Sequence, residues 1–162
     1  MDSALHLLGI ARKAGRAEVG EEPAGAACRA RQARVLLVAA DAADNSVRRA
    51  ARFAEAGQVP WLKTPWDKGT LGGAVGRTAC AMLALTDAGL AAALVEKLAQ
   101  ADPDAYGPAA EALRDKADRQ LQRQREQRAR DRQAQCRERR QDAEERKFLL
   151  RQQKKREKRR GR

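Results

Sequence analysis

Val35-Leu36-Leu37-Val38-Ala39 is the stretch that decides the fold class. Five apolar residues in unbroken succession, with no polar alternation, mark a strand covered on both faces. Working outward, Ala79–Leu85 reads as a second buried strand, and Pro60–Lys63 and Ala17–Val19 as shorter ones. Helical stretches fall between them. Ser3–Ala14 places Leu5, Leu8 and Ile10 among its apolar positions, with Asp2 or Ser3 as its N-cap and Gly15 as its stop. Glu21–Arg31 has Pro23 in its first turn, where the missing N–H costs nothing, and two acids suited to the helix dipole. Asp44 or Asn45 caps a helix through Glu55 that Gly57 closes, Asp67–Val75 is a short helix, and Thr86 caps a last one, Asp87–Gln100. Helices alternating with buried strands predict an α/β fold, a three-layer α/β/α sandwich around a small mixed sheet.

Composition sets the limits on function. The chain has 162 residues and 43% hydrophobic content, but 35 of its residues are alanine and only five are aromatic. Bulky core residues are too few for the whole chain to share one core. The longest apolar runs fall far short of the roughly 20 residues of a membrane span. Asp2 at the start and Arg12-Lys13 after the first apolar run are the wrong polarity for a secretory signal, so a cytoplasmic location is expected. Cys28, Cys80 and Cys136 are odd in number and widely spaced, which argues against a disulfide framework or zinc site. His6 is the only histidine, so triads and histidine-bearing metal sites have little to build on. Gly72, Gly73 and Gly76 are followed by no Gly-Lys-Ser or Gly-Lys-Thr, leaving nucleotide hydrolysis without support. No enzyme activity, cofactor, metal or small-molecule substrate is expected.

The charge is unevenly placed. Residues 1–108 hold 13 basic and 12 acidic side chains, whereas residues 109–162 hold 21 and 10. The net charge of +12 therefore lies almost wholly in the last third. Pro103, Gly107 and Pro108 predict a linker over 102–108 between a domain at 1–101 and a tail at 109–162. The tail has no sustained hydrophobic heptad, and Asp115/Arg119, Glu126/Arg130 and Asp142/Arg146 stand at i,i+4 spacing. A long solvated helix and a disordered arm both fit. Twenty-one cations exceed what solubility needs and suit phosphate, each contact releasing counterions. The preference for arginine before residue 146 suits bidentate phosphate contacts, and charge is densest over Lys154, Lys155, Arg156, Lys158, Arg159 and Arg160.

Five separate pieces add a more specific signal. They are Leu7–Arg16, Gly20-Glu21-Glu22, Ala33–Ala42, Leu71–Gly76 and Leu85–Ala91. In order and spacing, over about residues 3–100, they resemble the kink-turn-binding ribosomal protein superfamily, in its small bacterial YlxQ-like branch; the archetype is the archaeal large-subunit protein L-seven-Ae. The resemblance implies an α/β/α sandwich that binds structured RNA such as ribosomal RNA. It implies that Gly20, Glu21 and Glu22 enter the RNA groove and that Arg77, Thr78 and Ala79 pack on an extruded base. A glycine and a helix N-terminus suit a close approach to phosphate. The archaeal pattern Gly-x-Asn-Glu-x-x-Lys is altered here, with Glu22 for the asparagine, Pro23 for the glutamate and Ala26 for the lysine.

Remaining residues admit two readings. Lys13 and Arg16, with Arg12, either complement the first helix's dipole or form a phosphate patch, and Arg29, with Arg31 and Arg34, divides in the same way. Asp41 and Thr86-Asp87 read as loop and cap residues, Trp61 and Trp66 as packing, Cys28 and Cys80 as core, and His6 as structural among leucines. The expectation is an RNA-binding protein with ribosomal RNA or ribosome-assembly partners. The rival is a protein-interaction module whose RNA affinity resides in the tail alone.

Overall fold

The computed structural model describes residues 3–160, so Asp2, one of the two expected caps, lies outside the described residues. The chain forms α1 (Ser3–Lys13), β1 (Ala17–Val19), α2 (Glu21–Arg29), β2 (Val35–Val38), α3 (Asp44–Gly57), β3 (Trp61–Lys63), α4 (Lys68–Ala74), β4 (Met82–Leu85), α5 (Ala88–Ala101) and α6 (Pro103–Arg160). The sheet order is β1-β4-β2-β3. β4 runs antiparallel to both neighbours and β3 parallel to β2, so the sheet is small and mixed.

Both faces of the sheet are covered. In β2 and β4, Val35, Leu37, Leu83 and Leu85 join residues of α1, α4 and α5. The alternate residues Leu36, Val38, Met82 and Ala84 join Ala24, Cys28, Ala50 and Ala54 of α2 and α3. The unbroken apolar run in β2 thus divides between two cores, which gives the three-layer α/β/α sandwich. Alanine content lets α2 and α3 pack closely. A Cβ on Gly57 would lie 2.5 Å from the Cys28 carbonyl oxygen.

Several boundaries differ from the sequence expectation. Gly57 is the last residue of α3 rather than its stop, and Gln58 takes the left-handed conformation (φ 53°) instead. The close contact with Cys28 explains why glycine is spent inside the helix. Ala43, not Asp44 or Asn45, is the N-cap of α3. Asp87 rather than Thr86 caps α5, accepting from the Leu90 N–H at 2.8 Å, while the Thr86 hydroxyl donates to the Arg16 carbonyl. Residues 79–81, expected in β4, form a loop. His6 is exposed on α1 rather than seated among leucines.

The expected linker is helical from Pro103 onward. Pro103 stands at the first helical position, where its fixed φ is favourable, and the Asp102 carboxylate accepts from the Ala105 N–H at 3.1 Å. Tyr106 and Leu113 of α6 are buried in the same core as α5, and the Tyr106 hydroxyl donates to the Lys63 carbonyl at 2.7 Å. That burial holds the helix through Pro108. The chain divides into two compact units, Met1–Arg119 and Gln120–Arg162. The second is helical through Arg160 and has no buried residue among those described.

Candidate nucleic-acid interface

Because β4 opposes β1 and β2, the sheet has two chemically distinct ends. At one end the chain leaves β1 and β2 and enters β4. Gly20 follows β1 here with φ 107° and ψ 166°, a backbone suited to glycine, and is the N-cap of α2. Its N–H donates to the Met82 carbonyl at 3.0 Å. The Cys80 thiol hydrogen-bonds to Met82 as well and is in hydrogen-bond contact with the Gly20 backbone. This brings the Gly20–Glu22 turn against the loop that carries Arg77, Thr78 and Ala79, all three exposed. That loop folds back on α4: the Arg77 N–H donates to Gly72 and the Cys80 N–H to Lys68, both at 2.8 Å. Gly72 permits the turn, since a Cβ there would lie 2.7 Å from the Ala79 Cα. The two segments that the sequence singled out are therefore neighbours.

Their side chains are engaged unequally. Glu21 accepts from the Ser46 hydroxyl and from Arg49, each at 2.5 Å, tying α2 to α3. These two hydrogen bonds, Ser46 first, hold its carboxyl below the ordinary value of 4.5. Glu21 is occupied within the fold, whereas Glu22 and Pro23 are exposed at the helix start, where no side chain caps. Asp41 and Asp44 are exposed at the same end, and the Asp41 carboxylate accepts from the Lys68 N–H at 2.8 Å. This end combines helix N-termini with carboxylates. Arg77 and Lys63, the latter beside Val38 at the close of β3, are exposed cations here. The Cys28 and Cys80 thiols are buried, and burial pushes both up.

Lys13, Arg16 and Arg29 lie at the opposite end, away from Gly20–Glu22. Arg16 precedes β1, its carbonyl accepting from the Thr86 N–H after β4. Arg29 closes α2, its guanidinium carbon 5.5 Å from the Phe53 ring centroid. Arg34 enters β2 there, its N–H donating to the Leu85 carbonyl and its Nε buried with no hydrogen-bond partner. The C-terminal ends of α1 and α2 meet this end, so its cations complement two helix dipoles. The nine candidate positions of the first unit thus split into two groups at opposite ends of the sheet.

In the second unit Lys154, Lys155, Arg156, Lys158, Arg159 and Arg160 are all exposed on α6. Among the described residues, the ion pairs are Arg49–Glu21 and Arg114–Glu96, both in the first unit. The i,i+4 pairs expected at Asp115/Arg119, Glu126/Arg130 and Asp142/Arg146 do not close; Glu126 and Asp131 accept from Gln122 and Gln127 instead. The described arginines of the second unit are left open to solvent. Among the described residues no group of three or more His, Cys, Asp or Glu side chains could hold a metal ion, and no helix is long and apolar enough to cross a membrane.

Residues 108–162 match a family described as a protein of unknown function (DUF2992). No curated protein matches the chain in sequence. A solved protein of unknown function from Bacillus halodurans is similar over 60% of this chain and 98% of its own, with 23% identity and a TM-score of 0.57. A 15.5 kD RNA-binding protein from Giardia lamblia is similar over 67% of this chain and 85% of its own, at 19% identity and a TM-score of 0.49. The Bacillus likeness is one of fold.

Proposed function

We propose that this is a non-catalytic, cytoplasmic RNA-binding protein whose affinity comes mainly from the helical second unit. The observation that carries the reading is the charge division. Seventeen basic and seven acidic residues fall between Gln120 and Arg160, on a helix that buries none of these side chains and, among the described residues, closes no ion pair there. Each cation that meets a phosphate releases condensed counterions, so such a segment binds RNA strongly at low salt without reading sequence. The adjacency of Gly20–Glu22 and Arg77–Ala79 supports a second, more selective contact with structured, kink-turn-like RNA, such as ribosomal RNA. That contact suits bases better than phosphates, because Glu22 accepts hydrogen bonds and repels anions. Exposed Glu22, Asp41 and Asp44 favour a rival for the first unit, docking on a basic protein of a ribosome-assembly or RNA-processing particle.

Fluorescence anisotropy tests this with the full chain and a chain ending at Arg119. Each is titrated with a kink-turn RNA and with the same RNA lacking its G·A pairs, at two salt concentrations. The full chain is expected to bind both RNAs with a steep salt slope, and the shorter chain to keep weak preference for the intact kink-turn. A full chain that binds neither RNA ends the reading. A shorter chain that binds neither while the full chain binds both assigns the first unit to a protein partner.

A further inference from the structure

Between Leu121 and Arg156 the charges of the second-unit helix are sorted by face, and Glu157, in line with Arg139, ends the sorting. At about 100° per residue, a sector roughly 160° wide between Leu121 and Arg156 contains no acidic residue. It holds Arg125, Arg128, Arg132, Arg139, Arg140, Arg146, Lys147, Arg151 and Lys154, all exposed. The remainder of the surface over the same span holds all six acids (Glu126, Asp131, Glu138, Asp142, Glu144 and Glu145) against five cations. The sorting has a seven-residue period. Arg125, Arg132, Arg139 and Arg146 are seven apart, as are Asp131, Glu138 and Glu145, and a seven-residue step drifts only about 20° around a straight helix.

We infer that this acid-free face, carried by Arg125, Arg132, Arg139 and Arg146, is the surface that grips the phosphate backbone of double-helical RNA. The inference rests on the RNA-binding reading above and adds which side of the helix does the binding. Three features favour a duplex. From Arg125 to Lys154 the face runs straight for about 43 Å at 1.5 Å per residue, a rigid line matched by a rigid rod. It carries no aromatic side chain for stacking on unpaired bases, since Phe148 falls on the far side. Its cations make no ion pair among the described residues, so none must be broken on binding. A second copy of the chain fits poorly. Ala129, Cys136, Ala143 and Leu150 form a narrow seam at the same period, but packing two seams together would set the flanking arginines of one copy against those of the other.

Two full-length variants of equal charge decide the matter. One carries Arg125→Gln, Arg132→Gln, Arg139→Gln and Arg146→Gln; the other carries Arg123→Gln, Arg130→Gln, Arg137→Gln and Arg156→Gln on the opposite side. Binding to an unbulged RNA duplex of about 20 base pairs is followed across salt, together with helix content by circular dichroism. The first variant is expected to lose about 3 from the slope of log K against log salt and at least about tenfold in affinity; the second should lose less than about 1 from the slope. Lys-for-Arg replacement at the first four positions should keep the slope, which separates lost charge from a damaged helix. Equal losses in the two Gln variants, or binding to kink-turn RNA without binding to the duplex, overturn the face assignment alone. An unaltered chain that binds no RNA overturns the reading on which it rests.

Discussion

Leu113 and Leu121 stand eight residues apart on one continuous helix, yet Leu113 is 2% exposed and Leu121 is 47% exposed. Between them lies the division of the molecule. Through Arg119 the chain carries 16 basic and 15 acidic residues and buries two apolar layers against a sheet; from Gln120 onward it carries 18 and seven and buries nothing described. The first unit is held by burial, worth about 25 cal/mol per Å² of apolar surface removed from water. The second is held by local helix propensity, which arginine, glutamine, glutamate and alanine all supply at small individual gain. One unit has a shape to present to a partner. The other has a charge pattern.

The most demanding test of that division substitutes the two leucines in turn. Leu113→Ala should lower the stability of the first unit by about 2–5 kcal/mol, since it opens a cavity beneath α5. Leu121→Ala should change it by less than about 0.5 kcal/mol, as a solvated helix position. Denaturant unfolding followed at Trp61 and Trp66 reads both. Equal effects would mean that the helix beyond Arg119 shares the core of the first unit and that the division is wrongly placed.

Gly72 and Gly73 sharpen the contrast within the first unit. A Cβ at Gly72 meets the Ala79 backbone at 2.7 Å, and backbone cannot step aside as a side chain does. Gly72→Ala should cost about 1–3 kcal/mol and displace the loop carrying Arg77, Thr78 and Ala79, seen as amide shifts confined to residues 76–81. A Cβ at Gly73 meets nothing within 4 Å, and Gly73→Ala should stabilise by up to about 1 kcal/mol through helix propensity. If both substitutions leave the loop shifts unchanged, Gly72 is not what folds that loop onto α4.

How far this was legible in the sequence follows from what each signal depends on. The run Val35–Ala39 announced a doubly covered strand, because burial on two faces removes polar alternation from the sequence itself. The resemblance gave Gly20–Glu22 and the loop at Arg77–Ala79 separate contacts with RNA, and nothing in the sequence set the two segments side by side. No local rule places residues almost sixty positions apart side by side; the antiparallel course of β4 does. The same topology sent Lys13, Arg16 and Arg29 to the other end of the sheet, which a list of basic residues cannot foresee. Proline and glycine at 103–108 read as a linker because they break helices on average. Here Pro103 occupies the one helical position that favours it, and Tyr106 and Leu113 supply tertiary burial that outweighs Pro108. The face sorting beyond Gln120 was present in the sequence all along. A search for apolar heptads passes over it because its period is carried by charge.

The smallest expected effect concerns Glu21, which the sequence assigned outward and the structure turns inward. Its hydrogen bonds from Ser46 and Arg49 hold its carboxyl below the ordinary 4.5. The unfolded chain therefore binds the proton more readily than the folded one. This contribution is fully present above about pH 4.5 and fades as pH falls through the lower, folded value. Glu21→Gln removes it, so the variant's stability should decline less steeply on acidification between roughly pH 5 and pH 3 than that of the unaltered chain. The effect should be small and should shrink in salt, because the Arg49 side chain is 50% exposed. Ser46→Ala should flatten the acid limb in the same direction, since it removes the largest cause of the shift. Parallel acid limbs for Glu21→Gln and the unaltered chain would mean that the carboxylate is not engaged in solution. It would then be available at the α2 start, beside Glu22, for a partner's basic or amino groups.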